Sequence, residues 1–494
     1  MIIAYDLGTS GVKASLVSED CSIIKSTFRS YPTLCSPDGK REQRPLDWWN
    51  AIKDCTVELL QGEKSSNVNA ICLSGHSMGI APLDKNGELL CDTMPIWSDD
   101  RGTPQAERFF KEISYDVWYA DTGCGSPAGL YPLFKIMNCK EHTPELYRDT
   151  ACFIGTKDYI NFRLCKNIAS DISYASGTGI MSALRYEYNQ DYLNAADVDI
   201  SKLPRICDST DIVGYMTKES ADELGLVSGI PIVCGGVDNA CMALGAGCIR
   251  ENDMYASLGT SAWVSTTLTS PMTIPGAYTF AHAIRGLYLT HLGIFSSGSS
   301  HSWTLNNIFP YLDQKTRYAE FEKLAKASVT GAKGVIFAPA LAGGSLADPS
   351  PSIRGSFVNL DLAHTTADLA QATLEGISMH LKYAADKLFE RGAVPKELIL
   401  TGGGAKSDYW TQIYADVFDL PMSRSSVMQN TATLGAAVIG MVGAGIHKSF
   451  DCIENALKGK EILYPVKENA EFYKKRLVAF SYLLRAQAEI YSLT

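Results

Sequence analysis

The sequence predicts an α/β protein built from two similar domains, and three features support this prediction. Short apolar runs alternate with helical patterns along the chain, which is typical of α/β layers. A chain of 494 residues is also longer than a single hydrophobic core usually supports. The third feature is a repeat: Leu-Gly-Thr-Ser occurs at 7–10 and again at 258–261, each time between two β-prone runs.

Both copies of this motif predict a β-hairpin. The first copy joins the runs 2–5 and 11–17, and the second joins 254–257 and 262–267. Glycine allows a tight turn, and successive amide N–H groups together with the Thr and Ser hydroxyls can surround a phosphate oxygen. A four-residue match can also be an ordinary turn, but the matching strands on both sides favour two hairpins that face one polyphosphate.

Further strands and helices follow the same α/β pattern. The apolar runs 230–236 and 398–404 both end in glycines, and ligands of open α/β sheets bind at such strand ends. Helical patterns begin near Leu46, with Asp47 as the predicted N-cap, and at Thr366 and Ser407. These patterns predict a cleft lined by the glycine-rich loops.

The predicted domains are residues 1–246 and 247–494, because the glycine-rich end of the first domain precedes the second hairpin there. No low-complexity linker separates them, so we expect a packed hinge. The tail after Lys448 is predicted to be helical and to lie on the surface, with 473–476 facing solvent.

Composition disfavours several classes of protein. The net charge of −10 arises from 54 acidic and 44 basic residues without a Lys/Arg-rich run, so nucleic-acid and membrane partners are not expected. The chain begins with a strand-like run and has no long apolar stretch, which predicts a cytoplasmic protein. Its 14 cysteines form no CxxC pairs, so neither structural zinc nor a disulfide framework is expected.

Two aspartates are candidates for phosphoryl-transfer chemistry. Asp6 ends the first strand beside the turn, where it can either cap that turn or supply an oxygen ligand to Mg²⁺. Asp238 follows Gly235-Gly236-Val237 and begins a helix of small residues, so it can either cap the helix or act as a general base.

Two segments are candidates for binding a polyol. The segment 95–101 contains Trp97, Asp99 and Arg101, which combine an apolar face with hydrogen-bonding groups; a core Trp beside a surface ion pair is the alternative. The loop 74–79 contains His76, Ser77 and Met78, and a lone His in such a loop is more often structural.

Other common motifs are absent from the sequence. The glycines at 402–404 allow close approach of a nucleotide, but they match neither GxxxxGK[ST] nor GxGxxG. The chain also has no HExxH motif. P-loop kinases, dinucleotide-dependent dehydrogenases and HExxH metalloproteases are therefore set aside.

Taken together, these segments resemble the FGGY carbohydrate kinases, members of the superfamily of actin, hexokinase and the Hsp70 ATPases. The resemblance covers nearly the whole chain in the expected order. It implies two ribonuclease-H-like domains with ATP and sugar in the cleft between them. The segments are DLGTSGVKASLV, EQRPLDWW, LSGHSMGIAPLD, IWSDDR, GTKDYINFRL, SDISYASGTGIMS, GGVDNACMALGAG, SLGTSAWV, DPSPSIRGSFVNL and TGGGAKSDYWTQIYADVFDLPM.

The resemblance also implies a role for individual residues. Asp238 is the expected general base, and Asp6 is the expected Mg²⁺-associated carboxylate. The expected ATP contacts are Thr9, Ser10, Lys13, Gly259, Thr260, Gly403, Gly404, Ala405 and Ser407. The expected sugar contacts are His76, Ser77, Met78, Trp97, Asp99, Arg101, Asp238 and Asn239.

Within the family, the segment 238–240 and the Trp-x-Asp-x-Arg arrangement are most similar to members that phosphorylate xylulose. D-xylulose is therefore the first expected acceptor, followed by L-xylulose, ribulose, other ketoses, and polyols such as erythritol and glycerol. Two departures from the family's pattern leave the acceptor open. Residues 75–79 are Gly-His-Ser-Met-Gly instead of Gly-Gln-Met-His-Gly, and 343–345 are Gly-Gly-Ser instead of Gly-Glu-Arg.

Two alternatives of another class remain open at this point. One is an ATPase switch similar to actin or Hsp70, and the other is a catalytically silent sugar sensor. The segment 97–101 and the absence of an appended peptide-binding domain disfavour the first, and the two aspartates disfavour the second. The oligomeric state is open, with a homodimer as the candidate assembly.

Overall fold

The computed structural model describes residues 1–37, 39–424 and 429–493. In the first half, the strands are β1 (Ile2–Leu7), β2 (Gly11–Val17), β3 (Ile23–Ser30), β4 (Leu34–Cys35), β5 (Arg41–Gln43), β6 (Ala70–Gly75), β7 (Ala81–Leu83), β8 (Met94–Pro95), β9 (Cys152–Ile154), β10 (Ser170–Asp171), β11 (Met181–Ser182), β12 (Glu187–Tyr188), β13 (Ile206–Cys207), β14 (Ile212–Tyr215) and β15 (Pro231–Val237). The helices there are α1 (Pro45–Leu59), α2 (Thr103–Phe109), α3 (Tyr115–Thr122), α4 (Pro132–His142), α5 (Pro144–Asp149), α6 (Thr156–Cys165), α7 (Ile172–Ser176), α8 (Gln190–Ala196), α9 (Lys218–Leu224) and α10 (Asp238–Ala246).

The second half continues with fewer and longer elements. Its strands are β16 (Met254–Leu258), β17 (Ala262–Leu268), β18 (Tyr278–Ala281), β19 (Tyr288–Ile294), β20 (Ile336–Ala338), β21 (Ser356–Val358), β22 (Leu398–Thr401), β23 (Met422–Arg424) and β24 (Glu461–Leu463). Its helices are α11 (Gly298–Asn307), α12 (Arg317–Lys326), α13 (Thr366–Phe389), α14 (Asp408–Phe418), α15 (Thr431–Gly443) and α16 (Lys467–Ser492).

The two main sheets repeat one strand order. In the first sheet, β3, β2 and β1 are antiparallel neighbours, and β6 and β15 continue the sheet parallel to β1. In the second sheet, β19, β17 and β16 are antiparallel neighbours, and β22 and β23 continue parallel to β16. This order is that of a ribonuclease-H-like domain, and its repetition confirms the predicted α/β fold class with both hairpins.

Burial explains why the central strands are almost wholly apolar. Every residue of β6 is buried, and in β1 only Asp6 is partly exposed. Strands covered on both faces need continuous apolar runs, which β1 and β6 have. The one polar, partly exposed position of β1 therefore stands out at the end of the strand.

Helices α10 and α15 pack closely together between the two sheets. A Cβ atom on Gly245 would lie 1.8 Å from the carbonyl oxygen of Thr431, and one on Gly435 would lie 1.9 Å from that of Cys241. Only glycine permits this backbone contact. Because α15 also packs on β1 and β6, the two halves of the chain meet through this helix pair.

Two local predictions were wrong. Asp47 is not the N-cap of α1: the helix begins at Pro45, so Asp47 lies in its first turn. The segment 473–476 does not face solvent throughout, because α16 packs into the second core and buries Tyr473, whose hydroxyl donates to Glu375 Oε1 at 2.7 Å. A helix-long apolar stripe that includes Phe480 explains this docking.

In the parts of the chain that the structure describes, no helix is both long enough and apolar enough to cross a membrane.

Candidate active site

The two predicted catalytic aspartates lie at the same edge of the first sheet. Asp6 is near the end of β1, and its Oδ1 accepts a hydrogen bond from Ser74 Oγ at 2.7 Å. Asp238 directly follows β15 and is the first residue of α10. Because β1 and β15 both flank β6 in parallel, the two carboxylates follow strands that end at one edge. The sheet thus brings together residues that are distant in sequence.

Burial and a neighbouring charge bring the pKa of Asp238 close to neutral pH. Burial, together with the negative charge of Asp6, raises the pKa of Asp238 to about 7. Burial also raises the pKa of Asp6, although the Ser74 hydrogen bond and the Lys13 ammonium oppose this rise. A carboxylate whose pKa lies near the working pH is well suited to general-base catalysis.

A buried network holds the backbone beside Asp238. The amide of Val237 donates to Ser173 Oγ at 2.9 Å, and the Ser173 hydroxyl in turn donates to Asp171. Lys157, which is fully buried, pairs with Asp171 at 2.9 Å and also contacts Asp158. These residues come from α6, α7 and β10, so the segments GTKDYINFRL and SDISYASGTGIMS position the end of β15.

The first Gly-Thr-Ser turn is held through its carbonyl oxygens. Tyr31 Oη donates to Gly8 O at 2.5 Å, and Gln43 Nε2 donates to Thr9 O at 2.7 Å. Trp97 Nε1 donates to Thr9 Oγ1 at 2.9 Å. Among the described residues, no hydrogen bond uses the amides of Thr9 and Ser10, so these donors are available to a ligand.

The second turn is held by backbone amides at the start of α11. Gly298 N donates to Gly259 O at 2.9 Å, and the amides of Ser297 and Ser299 both donate to Thr260 O, at 3.1 and 3.0 Å. A Cβ atom on Gly298 would lie 2.5 Å from Gly259 O, so glycine is required for this approach. The turn itself, at Gly259 and Thr260, is exposed.

A cavity of about 360 Å³ opens beside Asp238. Its walls combine a small number of polar groups with many aromatic and apolar ones, as is usual for sites of small organic ligands. The lining residues are Ser77, Met78, Trp97, Leu130, Asp238, Asn239, Ser261, Ala262, Trp263, Gly276, Tyr278, Phe280, His291, Leu292, Gly293, Ile294, Phe295 and Leu346.

The structure brings five of the predicted sugar contacts to this cavity, namely Ser77, Met78, Trp97, Asp238 and Asn239. Three others do not line it. His76 is buried and packs edge-on against Trp48, with ring centroids 5.9 Å apart. Asp99 is fully buried and pairs with Arg101, which also pairs with Glu42 at 2.5 Å.

The Asp99–Arg101 pair fixes the loop rather than facing the cavity. Burial alone would raise the pKa of Asp99, but the Arg101 guanidinium and the Arg41 amide hold it below its usual value. Arg41 N donates to Asp99 Oδ2 at 2.8 Å, which ties the loop to β5. The pair therefore sets the position of Trp97.

Lys135 was not anticipated from the sequence, although it links the two sugar-site loops. Its ammonium is buried and donates to Met78 O at 2.9 Å and to Ile96 O at 2.7 Å. Burial lowers the pKa of Lys135 to about 7. A lysine inside the pattern of α4 carries no sequence signal for this role.

His291 on β19 was also missed. It lines the cavity and is buried, and among the described residues neither ring nitrogen has a hydrogen-bond partner. Burial, with a contribution from His282, lowers the pKa of His291 to about 3, so the ring is neutral and offers one donor and one acceptor. The only sequence signal is a histidine at a buried position of a β-prone run.

A larger cavity of about 1050 Å³ lies on the other side of the second turn. Five predicted ATP contacts line it: Gly259, Thr260, Gly403, Gly404 and Ser407. The walls also include residues that were not predicted, among them His301, Trp303, Asn306, Tyr318, Glu322, Lys406 and Trp410.

The remaining predicted ATP contacts lie elsewhere. Ala405 is fully buried and does not line the larger cavity; its carbonyl accepts a hydrogen bond from Arg424. Thr9 and Ser10 belong to the first turn, and Lys13 follows on β2, where its ammonium contacts Gln429 O. These three residues line neither of the two cavities.

Two family models match successive parts of the chain. The N-terminal domain of the FGGY family of carbohydrate kinases matches residues 1–245, and the C-terminal domain matches residues 254–444. The xylulose kinase of Bacillus subtilis (strain 168) is 30% identical over 481 residues, covering 96% of this chain and 94% of that protein. The gluconokinase of the same bacterium is 25% identical over 493 residues, covering 98% and 95%.

Solved structures show the same architecture. The ligand-bound xylulose kinase from Lactobacillus acidophilus has a TM-score of 0.91 at 25% identity, covering 99% of both chains. The Plasmodium falciparum glycerol kinase with ADP has a TM-score of 0.88 at 20% identity, covering 98% of both chains, and shows likeness of fold alone.

Proposed function

Because the chain belongs to the FGGY family of carbohydrate kinases, we propose that it transfers the γ-phosphoryl group of ATP to a terminal hydroxyl of an open-chain sugar, with D-xylulose as the first candidate. One observation carries the proposal. The second hairpin forms the wall between the two cavities: residues 258–260 line the larger one, and residues 261–263 line the smaller one beside Asp238. A nucleotide on one side and a sugar on the other would meet at this turn.

Asp238 is the proposed general base. With a pKa near 7, its carboxylate can accept the proton of the sugar hydroxyl as that oxygen attacks phosphorus. Thr9, Ser10 and Thr260 would bind phosphate oxygens through their amides and hydroxyls. Neutral His291, which also lines the cavity, would orient the sugar by donating or accepting a hydrogen bond.

The donors at the edge of the first sheet fit Mg²⁺. Asp6 offers a partly exposed carboxylate, and the adjoining turn offers the hydroxyls of Thr9 and Ser10, which are hard oxygen ligands of the kind Mg²⁺ prefers. Bound Mg²⁺ would neutralise charge on the phosphate oxygens. We assign Asp6 as the residue that holds it, directly or through water.

The smaller cavity favours a neutral acceptor over a sugar acid. Among the residues that line it, Asp238 is the only acid and there is no Lys or Arg. The carboxylate of gluconate would have no cationic partner in this cavity and would lie close to Asp238. Burying an unpaired negative charge there would be unfavourable in free energy. We therefore place gluconate behind ketopentoses and polyols, although gluconokinases are among the similar proteins.

Replacing Asp238 with Asn tests the base assignment. We expect sugar phosphorylation to fall by roughly 10²–10⁴-fold, because the proton acceptor is lost, while ATP binding measured by calorimetry stays near that of the unaltered protein. Asp222→Asn, at an exposed acid of α9, is the matched control and should keep full activity. Near-normal turnover of Asp238→Asn would reject the assignment.

The pH dependence follows from the same carboxylate. A base must be ionised, and Asp238 is ionised above its pKa of about 7. We expect kcat/KM to be level at higher pH and to fall about tenfold for each pH unit below that value. The profile should be measured with the preferred sugar; a level profile down to pH 5 would contradict the proposal.

The acceptor is identified by measuring ADP release with ATP and Mg²⁺ across D-xylulose, L-xylulose, ribulose, erythritol, glycerol and gluconate, with the product mass checked for one added phosphoryl group. One strongly preferred neutral sugar would support the proposal. ADP release that is equal with and without sugar would favour an ATPase switch, and sugar binding without transfer would favour a silent sensor. Preference for gluconate would overturn the argument from cavity charge.

A further inference from the structure

Soft metal-binding side chains from two distant parts of the chain meet at the far end of β2. Cys21 lies in the turn between β2 and β3, and His447 and Cys452 follow α15. One ligand atom from each of the three residues lies within 4.8 Å of the others. Both cysteines are buried and His447 is half-buried, so the cluster is closed on most sides.

A fourth soft donor borders this cluster. The Cys21 thiol donates to Met441 Sδ at a distance of 3.8 Å, and Met441 is fully buried on α15. Two thiols, an imidazole and a thioether form a donor set that suits thiophilic ions such as Zn²⁺ and Cu⁺, and does not suit Mg²⁺ or Ca²⁺. The site therefore differs in chemistry from the cation site proposed at Asp6.

The imidazole of His447 is already oriented by a second contact. Its Nε2 lies 2.5 Å from Glu19 O, and because a carbonyl oxygen can only accept, this nitrogen carries the proton. The lone pair is therefore on Nδ1, which can bind a metal. A backbone carbonyl that holds the other ring nitrogen of a ligating histidine is the usual support of such sites.

The spacing of the donors is close to that of a metal site. Around Zn²⁺, with bonds of about 2.3 Å to sulfur and about 2.0–2.1 Å to nitrogen, tetrahedral ligand atoms lie roughly 3.5–3.8 Å apart. The two sulfur atoms and one ring nitrogen of His447 already lie within 4.8 Å of one another. Small side-chain rotations would bring them to the spacing of a metal site. Met441 or a water molecule would complete four-coordination.

We propose that Cys21, His447 and Cys452 bind a thiophilic metal ion such as Zn²⁺, which ties the β2–β3 turn to the segment after α15. Both thiols would lose their protons on binding, and Nδ1 would donate its lone pair. A search for CxxC pairs does not find this site, because Cys21 is far in sequence from His447 and Cys452 and meets them only when α15 packs on the first sheet.

The site lies away from the proposed chemistry. Cys21 follows β2 at the end opposite the Gly-Thr-Ser turn, and seven strand residues span roughly 20 Å. Metal binding should therefore stabilise the contact between α15 and the first sheet without entering the cleft. The expected effect is on stability rather than on turnover.

The test uses the full-length protein, stripped with a chelator, kept reduced with a phosphine, and titrated with Co²⁺ as a spectroscopic probe and Zn²⁺ as competitor. We expect one equivalent to give a thiolate-to-cobalt charge-transfer band that Zn²⁺ displaces, and Zn²⁺ to raise the melting temperature. Cys452→Ser and His447→Gln should each weaken binding at least tenfold, whereas Cys35→Ser, at an exposed thiol on β4, should not.

His447→Gln keeps the proposal testable if the cysteine variant does not fold, because the His447 side chain is only half-buried. The far-ultraviolet circular dichroism of this variant can be compared directly with that of the unaltered protein. No cobalt band with the reduced, unaltered protein would overturn the proposal. A band that survives Cys452→Ser, or that is lost in Cys35→Ser, would also overturn it, because the metal would then be bound elsewhere.

Discussion

The two hairpins share the sequence Leu-Gly-Thr-Ser and differ in the pair of residues beside the turn. In the first hairpin, Asp6 lies opposite Lys13. In the second, Ser257 lies opposite Trp263. The first pair brings charges to the turn, whereas Trp263 of the second pair forms a wall of the smaller cavity. The repeated residues thus set a backbone shape, and the flanking pair sets the chemistry.

The turns also differ in length and support. Leu7 pairs with Val12 in the first hairpin, while Leu258 pairs with Ala262 in the second, so the first turn has one more residue. That residue is Gly11, which lies against β3. The first turn is held mainly by side chains and the second mainly by backbone amides of α11. The first turn should therefore be more sensitive to substitution.

Among substitutions in the two hairpins, the largest effect is expected when Asp6 is replaced by serine, the residue at the equivalent position of the second hairpin. Asp6→Ser removes the carboxylate that we assign to the cation, and kcat should fall by roughly 10²–10³-fold. The negative charge of Asp6 helps to raise the pKa of Asp238, so the pH below which the residual activity falls should move downward. The first effect is measured as kcat at saturating substrate, and the second as the profile of kcat/KM against pH.

Ser257→Ala is the matched control in the second hairpin, because no charge is lost there, and its kcat should stay within about threefold. Equal losses in the two variants would show that the hairpins contribute in the same way. An Asp6→Ser enzyme with an unmoved pH profile would show that the two carboxylates do not interact.

The second prediction compares stability at the two turns. A Cβ atom on Gly11 would lie 2.3 Å from Arg29 O and 2.6 Å from the Phe28 ring, whereas one on Gly259 meets nothing closer than Ser261 O at 3.5 Å. Gly11→Ala should therefore lower the free energy of unfolding by about 1–3 kcal/mol. Gly259→Ala should change it by less than about 0.5 kcal/mol. Urea unfolding without nucleotide measures both.

The local elements were predictable because their signals lie within a few residues. Apolar runs followed by Gly-Thr-Ser predicted both hairpins, and an apolar run that ends in glycines placed Asp238 at a strand end. The roles of Lys135 and His291 were not predictable, since they depend on which loops and walls meet in space. Asp99 was expected to contact sugar; the structure buries Asp99, pairs it with Arg101 and places neither residue at the smaller cavity.

The smallest expected effect on kcat/KM concerns the two tryptophans beside the turns, Trp97 and Trp263. Trp97 is 42% exposed and its Nε1 donates to Thr9 Oγ1 at 2.9 Å, while Trp263 Nε1 lies 3.4 Å from Tyr255 Oη, near the limit of a hydrogen bond. Trp97→Phe keeps most of the apolar ring and loses only the donor. A neutral hydrogen bond contributes about 0.5–1.5 kcal/mol, and water can replace an exposed one, so kcat/KM should fall about two- to fivefold.

Trp263→Phe removes a weaker bond and leaves the second turn untouched, so its kcat/KM should fall less than that of Trp97→Phe. Steady-state kinetics with the preferred sugar distinguishes the causes. If Thr9 positions phosphate through its contact with Trp97, the loss appears in kcat and in the KM for ATP. If Trp97 serves only as a wall of the smaller cavity, the loss appears in the KM for sugar. The two tryptophans would then have the same role, although the turns beside them differ.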